Sequence, residues 1–423
     1  MRAVDGDVRT ASYEADPAEV RRVLLLYSGG LDTSVMLKWI QEQYGAEVVA
    51  LSVDLGQPGE DWEVVRGKAE RLGALECRVV DAREEFAREY VLRAIKANAL
   101  YGGGYPLFTA LGRPLIAKLA VQAARETGCD TIAHGCTGKG NDQVRIEATV
   151  ATLAPELKVI APVRSWRMGR EEEIEYAREH GIPVKGGTEV APYSIDDNLW
   201  GRSSEGRWIE ELDREPEDDV FGLVTRPEDA PDEPGYVTVG FERGVPVSLD
   251  GERLEPVELI QRAAAIGARH GVGIVDHLED RIVGLKVRDI YEAPAAAILL
   301  TAHQELERLV STIHQNQFKP ALDRQWAYLV YAGLWWEPLR GDLDAYMDRA
   351  NEPVTGSIRL KLFKGSARVV ARESPHAVYD QALASFGESG GLFSQQAAPG
   401  FIELWSLQSR MAYRLREERG GGE

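Results

Sequence analysis

Between Val23 and about residue 180 the chain alternates short apolar runs with helix-patterned stretches, and this alternation leaves few folds open to it. Runs at 23–27, 47–53, 77–80, 131–133 and 158–161 have the near-continuous apolar character of strands buried on both faces. The stretches 34–44, 61–72, 83–98, 114–127 and 170–180 carry helical spacing. Strands that each return through a helix lie parallel, so the expected fold class is α/β, a doubly wound parallel sheet covered on both faces. Ligands of such sheets gather at the carboxyl ends of the strands, where the strand order reverses.

The loop after the first run reads Ser-Gly-Gly-Leu-Asp-Thr-Ser, from Ser28 to Ser34. Its two glycines allow a sharp turn and close approach to a ligand. The hydroxyls of Ser28, Thr33 and Ser34 then converge with the free N–H groups of the helix start. A helix N-terminus favours an anion by roughly 0.3–1 kcal/mol, so the loop suits a phosphate. No Gly-x-x-x-x-Gly-Lys-Ser/Thr occurs, which excludes a Walker A loop. The heptad instead resembles the pyrophosphate loop of the ATP pyrophosphatases, whose fold is the adenine nucleotide α-hydrolase-like type. Those enzymes split ATP between the α- and β-phosphates and adenylate a substrate oxygen.

Two more loops are expected on the same edge, Val53-Asp54-Leu55-Gly56 and the glycine-rich stretch His134 to Asp142. In the latter, Thr137 and Asn141 can hydrogen-bond carboxylates, and the nearby Arg145 offers a two-pronged grip on an anion. Asp32 either orients a Mg²⁺ ion or only caps its helix. Tyr101-Gly102-Gly103-Gly104-Tyr105 reads as a lid or as a plain connector.

At 423 residues the chain exceeds one comfortable core, and its texture changes after Pro183. The expected division is a disordered leader at 1–20, a nucleotide-binding domain at 21–183, a second α+β domain at 184–388 and a C-terminal arm at 389–423. In the second domain a strand is expected at 236–241 and helices at about 256–270, 295–314 and 323–334, with strands near 357–363 and 367–372. From Phe401 to Arg416 the chain aligns Ile402, Leu404, Trp405, Leu407, Met411 and Leu415 on what could be one apolar helix face. Such a face needs its own core or a neighbouring subunit. Trp326, Trp335 and Trp336 read as packing residues, and His270 and His277 are too isolated to propose as metal ligands.

A formal charge of −19 argues against a nucleic-acid surface. Three cysteines without metal-ligand spacing read as reduced thiols of a cytoplasmic protein. No apolar run approaches the roughly 18 residues that cross a bilayer, so no membrane partner is expected.

Tyr-Ser-Gly-Gly-Leu-Asp-Thr-Ser at 27–34 and His-Gly-Cys-Thr-Gly-Lys-Gly-Asn-Asp-Gln-Val-Arg at 134–145 resemble the argininosuccinate synthases. So do the segment from Ala154 to Pro162, Gly284-Leu285-Lys286, and Ile290 to Ala295, and the resemblance runs from about Val23 to Leu415. It implies ATP-dependent joining of citrulline to aspartate through a citrulline-adenylate, with release of AMP and pyrophosphate, in arginine biosynthesis. It further implies Mg²⁺ and a homotetramer, with the residues that hold the metal left unknown. Carried over by position, Leu26, Tyr27, Ser28, Gly29, Gly30, Leu31, Asp32, Thr33, Ser34 and Val53, with His134 and Gly135, would hold ATP. Thr137, Asn141 and Asp142 would hold aspartate; Tyr105, Thr109, Asn141, Arg145, Ser194, Ser203, Glu279 and Tyr291 would hold citrulline. Asp32 and Asp142 are the carboxylates expected at the reacting centre. The family commonly has a hydroxyl residue where this chain has Ala110, and Thr109 is expected to serve instead.

Overall fold

The chain was analysed as a computed structural model that describes residues 11–166, 168–182, 193–384 and 394–420. Strands β1 (Arg22–Leu26), β2 (Glu47–Asp54), β3 (Glu76–Asp81), β4 (Thr131–Ala133) and β5 (Lys158–Ile160) form one sheet in the order β3-β2-β1-β4-β5. Every pairing in it is parallel. Successive side chains of a strand point to opposite faces, and here each face has its own core. Leu24, Val49, Leu51 and Val53 join one apolar cluster, while Val23, Leu25, Val48 and Ala50 join a second with Val35, Met36, Leu37 and Ile40 of the first helix. Burial on both faces is what makes these strands read as continuous apolar runs.

The helices between the strands follow the expected order. Leu31–Tyr44 starts from the extended Gly30 and ends on Gly45, whose φ of 62° is the left-handed conformation that closes a helix without a Cβ penalty. Trp62–Arg71 is capped by the Asp61 carboxylate, which accepts from the N–H groups of Glu63 and Val64. The stretch expected at 83–98 is helical but carries a π-helical turn at Phe86–Val91. The next helix runs from Phe108 to Thr127, so Pro114 lies in its second turn and is not its start. Arg170–Glu179 completes the series.

Later in the chain come β6 (Ser194–Asn198), β7 (Gly201–Glu205), β8 (Gly235–Glu242), β9 (Val245–Leu249), β10 (Glu252–Arg253), β11 (Ile274–Asp280), β12 (Lys286–Glu292), β13 (Gly356–Phe363) and β14 (Ser366–Glu373). They build two antiparallel sheets, ordered β10-β9-β8-β13-β14 and β11-β12-β7-β6. Val237, Val239, Phe241, Ile358, Leu360 and Leu362 pack the first of these against helices Pro256–Arg269 and Pro294–Val310. The same continuous core takes in Phe86, Tyr90 and Phe108 of the parallel-sheet half. Residues up to His376 thus form one compact unit, although they hold sheets of two kinds. The helix expected at 323–334 begins earlier, at Ile313, where Thr312 and Gln315 form a reciprocal cap. Trp326 and Trp335 are buried as expected, whereas Trp336 is partly exposed.

The leader departs from expectation. Glu14 bridges to Val159 in parallel register, the Ala15 N–H donates to the Val159 carbonyl at 3.1 Å, and Val20 is buried. The acidic side chains that made this stretch read as disordered include Asp16 and Glu19, which face solvent, while its backbone lies along the open edge of β5. Residues 1–10 and the boundaries expected at 183/184 and 388/389 lie outside the described residues. The C-terminal unit carries two helices, Ala398–Trp405 and Leu407–Glu418.

Candidate active site

The strand order turns back between β1 and β4, so the loops after these two strands flank the crevice. The first loop is anchored from behind. Gly29 has φ 76°, and a Cβ there would come within 3.0 Å of Val65. Its carbonyl accepts from Lys68 Nζ at 2.9 Å. Ser34 Oγ donates to the Gly30 carbonyl at 2.6 Å and lies 3.0 Å from the Tyr27 hydroxyl, while Ser52 Oγ donates to the Tyr27 carbonyl at 2.6 Å. On the open side Ser28, Gly30 and Asp32 are exposed, and Ser28 Oγ stands 3.2 Å from Thr33 Oγ1. Leu26 and Leu31 flank the turn half-buried, and the buried Val53 stands near the end of β2.

In the second loop His134 is buried and tied at both ring nitrogens. Nδ1 accepts from the Cys136 N–H at 3.2 Å, so Nε2 carries the proton that it gives to Glu147 Oε1 at 2.9 Å. Gly135 passes so close to Met36 that a Cβ would stand 2.8 Å from the methionine methyl. Thr137 is exposed. Asn141 is buried, donating from Nδ2 to the Tyr331 hydroxyl at 2.7 Å and accepting at Oδ1 from the Ile282 N–H at 3.1 Å. Asp142 opens the helix Asp142–Leu153 and meets two guanidinium groups, Arg113 Nε at 2.8 Å and Arg145 Nη1 at 2.7 Å. Burial works against its charge, but Arg113 and Arg145 outweigh it and hold the carboxyl at about 2.

The third wall is the sheet β11-β12-β7-β6. Register places Val275, Tyr291, Ser203 and Asp196 across from one another, so their side chains share a face. Two residues along the strands, the same face carries His277, Asp289, Glu205 and Ser194, and Glu279 follows two residues beyond His277. Glu279 is buried and accepts from the Tyr291 hydroxyl at Oε2 and the Tyr331 hydroxyl at Oε1, both at 2.6 Å. Tyr291 stacks on Tyr105, ring centroids 4.6 Å apart. The Tyr105 hydroxyl accepts from the N–H groups of Thr109 and Ala110 and is paired with Thr109 Oγ1. Thr109 thus supplies a hydroxyl next to the position where Ala110 has none.

Two of the glycines at 102–104 are explained by His277, and the third, Gly103, lies in open space with φ 78°. A Cβ on Gly102 or Gly104 would stand 2.9 or 2.7 Å from its ring, and Tyr101 and Tyr105 close the turn by pairing with each other. Tyr101 then stacks on Tyr331. Tyr105, Asn141, Arg145, Glu279 and Tyr291 are joined in this way through Tyr331. Arg145 lies over the Tyr331 ring, 5.0 Å from its centroid, and donates from Nε to the Tyr331 carbonyl at 3.0 Å; its Nη2 is buried with no hydrogen-bond partner. A buried guanidinium nitrogen without a partner fits an anionic group that comes from outside the chain. Ser194 is exposed at the start of β6, and Ser203 donates only a long 3.4 Å bond to the Asp196 carbonyl.

Several residues of this site were invisible in the sequence. Arg113 bridges Asp142 and Asp196, and Arg281 joins Glu205. Tyr331 comes from a helix more than 180 residues beyond Asn141, with no local motif to mark it. Arg113 had one usable signal, its place one helical turn after Thr109. Asp289, buried beside Glu205 and Glu279, has its carboxyl raised to about 7. Among the described residues no three His, Cys, Asp or Glu side chains group as a metal site. Mg²⁺ needs no such cage: one or two carboxylates with water and phosphate oxygens suffice, and the exposed Asp32 beside the phosphate-type loop fits that donor set.

A parallel sheet with a glycine-hydroxyl loop at its first crossover and a second loop across the reversal point defines a nucleotide-binding domain of the HUP class. The family model described as the arginosuccinate synthase N-terminal HUP domain matches residues 22–183, and that described as the arginosuccinate synthase C-terminal domain matches 193–412. Curated relatives named argininosuccinate synthase include one from Rubrobacter xylanophilus, 59% identical over 92% of this chain and 94% of its own. Others come from Symbiobacterium thermophilum, 52% identical over 92% and 97%, and Pyrococcus furiosus, 50% identical over 93% and 95%. The chain belongs to the argininosuccinate synthase family.

Proposed function

We propose that the crevice between the three walls assembles ATP, citrulline and aspartate in one place. As a member of its family the chain joins citrulline to aspartate at the expense of ATP. The ureido oxygen of citrulline attacks the α-phosphorus, forming an O–P bond as the α–β anhydride breaks and pyrophosphate leaves. The aspartate amine then attacks the ureido carbon, forming the C–N bond while AMP departs and the amine proton is lost. Both nucleophiles come from substrates, so the protein's task is positioning and charge stabilisation.

Each loop has a share in this. Leu26 to Ser34 and Val53, with His134 and Gly135, hold ATP, its phosphates lying on the open side of the first loop. Thr137, Asn141 and Asp142 take aspartate. Tyr105, Thr109, Asn141, Arg145, Ser194, Ser203, Glu279 and Tyr291 take citrulline, with Glu279 facing its α-ammonium. Asp32 holds Mg²⁺ together with phosphate and water oxygens, and the ion there neutralises pyrophosphate charge. The observation that carries this reading is Arg145 Nη2, buried and unpartnered beside the Asn141–Tyr331–Glu279–Tyr291 chain of hydrogen bonds.

We also assign the working form as a homotetramer in the cytoplasm. The end helices expose Phe401, Ile402, Leu404, Trp405, Leu407, Met411 and Leu415, a set that calls for a second copy, and all three cysteines are free thiols. No described helix is long and apolar enough to cross a membrane. The test is pyrophosphate release on mixing with ATP and Mg²⁺: strong release with citrulline and aspartate together supports the reading, and equal release without citrulline refutes it.

A further inference from the structure

The segment before β1, which the family model leaves out, lies along β5 and lines a cavity with the helix that follows the second active-site loop. Its backbone extends the sheet beyond β5: the Val159 N–H donates to the Tyr13 carbonyl at 2.9 Å, Ala15 answers at 3.1 Å, and Lys158 Nζ donates to the Ser12 carbonyl at 2.9 Å. At its far end the N–H groups of Arg21 and Arg22 both donate to Asp130 Oδ2 at 3.1 Å. These contacts fix where the Tyr13 side chain falls. It lines a cavity of about 360 Å³ with Gln143, Glu147 and Arg164.

Glu147 is 5% exposed and stands at the junction of two routes to the loop. In one, His134 Nε2 donates to it and His134 Nδ1 accepts from the Cys136 N–H, which fixes the start of the loop. In the other, Arg164 pairs with Glu147 at 2.7 Å and donates to Gln143 Oε1 at 3.0 Å, while Gln143 Nε2 donates to the Gly140 carbonyl at 3.1 Å, which fixes its end. The Tyr13 hydroxyl faces the same carboxylate, and burial and that neighbour together push it up to about 12, so it stays a neutral donor.

We propose that residues 11–16 form a strap in which Tyr13 is a positioning residue, acting through Glu147, His134 and Arg164 to hold the loop from His134 to Asn141 in its binding conformation. The proposal rests on the assignment of that loop to ATP and aspartate. Glu147 keeps His134 and Arg164 as partners, and loss of the phenolic hydroxyl removes a polar group that shares its cavity, leaving both ends of the loop less restrained. The ring of a phenylalanine still fills the space, so folding should not suffer.

The experiment compares wild-type and Tyr13→Phe full-length chains by steady-state kinetics, varying each substrate in turn, with the melting temperature recorded alongside. The strap raises KM for ATP and aspartate by roughly three- to tenfold in the variant, with KM for citrulline changed less than twofold and melting unchanged. Three KM values equal to wild type overturn the proposal, as does a uniform rise in all three. If the variant melts much earlier, Tyr13→Leu, which keeps apolar bulk, decides by the same split between KM values. A wild-type chain that forms no argininosuccinate overturns the functional reading and this proposal with it, which separates the two failures.

Discussion

Asp289 and Asp142 carry opposite shifts for reasons visible around each. Burial, with Glu205 and Glu279 nearby, raises Asp289 from 3.8 to about 7, whereas Arg113 and Arg145 hold Asp142 at about 2. For Asp289 the folded value lies above the unfolded one, so its contribution to stability is full below about 4 and is lost as the pH rises through about 7. For Asp142 the sign reverses: its contribution is present above about 4 and is lost as the pH falls towards 2. Ionised Asp289 also adds negative charge beside Glu279, the residue we propose to face the citrulline ammonium. KM for citrulline should therefore fall between pH 6 and pH 8, and Asp289→Asn should flatten that dependence; a variant that keeps the full dependence removes Asp289 as its cause. Asp32 is a simpler case, exposed in the first turn of its helix. Asp32→Ala should lower turnover by roughly a hundredfold while costing the fold no more than about 1 kcal/mol in chemical denaturation. Unchanged turnover would take Asp32 out of the mechanism.

Among the elements, the turn from Tyr101 to Tyr105 is set both by contact with His277 and by left-handed backbone at Gly102 and Gly103. Gly102 has φ 60° and its Cβ position lies 2.9 Å from the buried His277 ring, so Gly102→Ala combines backbone strain with a clash. It should destabilise the fold by roughly 1–3 kcal/mol and also raise KM for citrulline, because Tyr105 follows in the same turn. Wild-type stability would mean that the turn adapts freely, as a lid would. The five parallel strands were legible because burial on both faces leaves a plain apolar run. The strands β6, β7, β11 and β12 were not: Asp196, Asp197, Glu205, Glu279, Asp280 and Arg288 break any apolar alternation. That is the cost of a sheet whose one face gathers Asp196, Glu205, Glu279 and Asp289. The site shows the same division, since loop residues sit in readable motifs, while Arg113, Asp289 and Tyr331 come from elements whose local sequence serves packing and pairing.

At the scale of the whole molecule, one core joins the parallel sheet to the two antiparallel ones, and the leader is stitched along β5, while the last helices hold apolar side chains in the open. Such exposure is stable in water only when covered, so deleting residues 400–423 should lower the subunit number read by light scattering. An unchanged mass would contradict the assignment of those helices to assembly. The leader's acidic composition hid its place because Asp16 and Glu19 face solvent while its backbone pairs with β5. Everything placed in the crevice depends on transfer of AMP to the ureido oxygen of citrulline. That transfer is tested most directly by turnover of citrulline labelled with ¹⁸O at the ureido position, followed by mass spectrometry of the nucleotide product. The label should appear in the phosphate of AMP; unlabelled AMP, or ADP in its place, would contradict it.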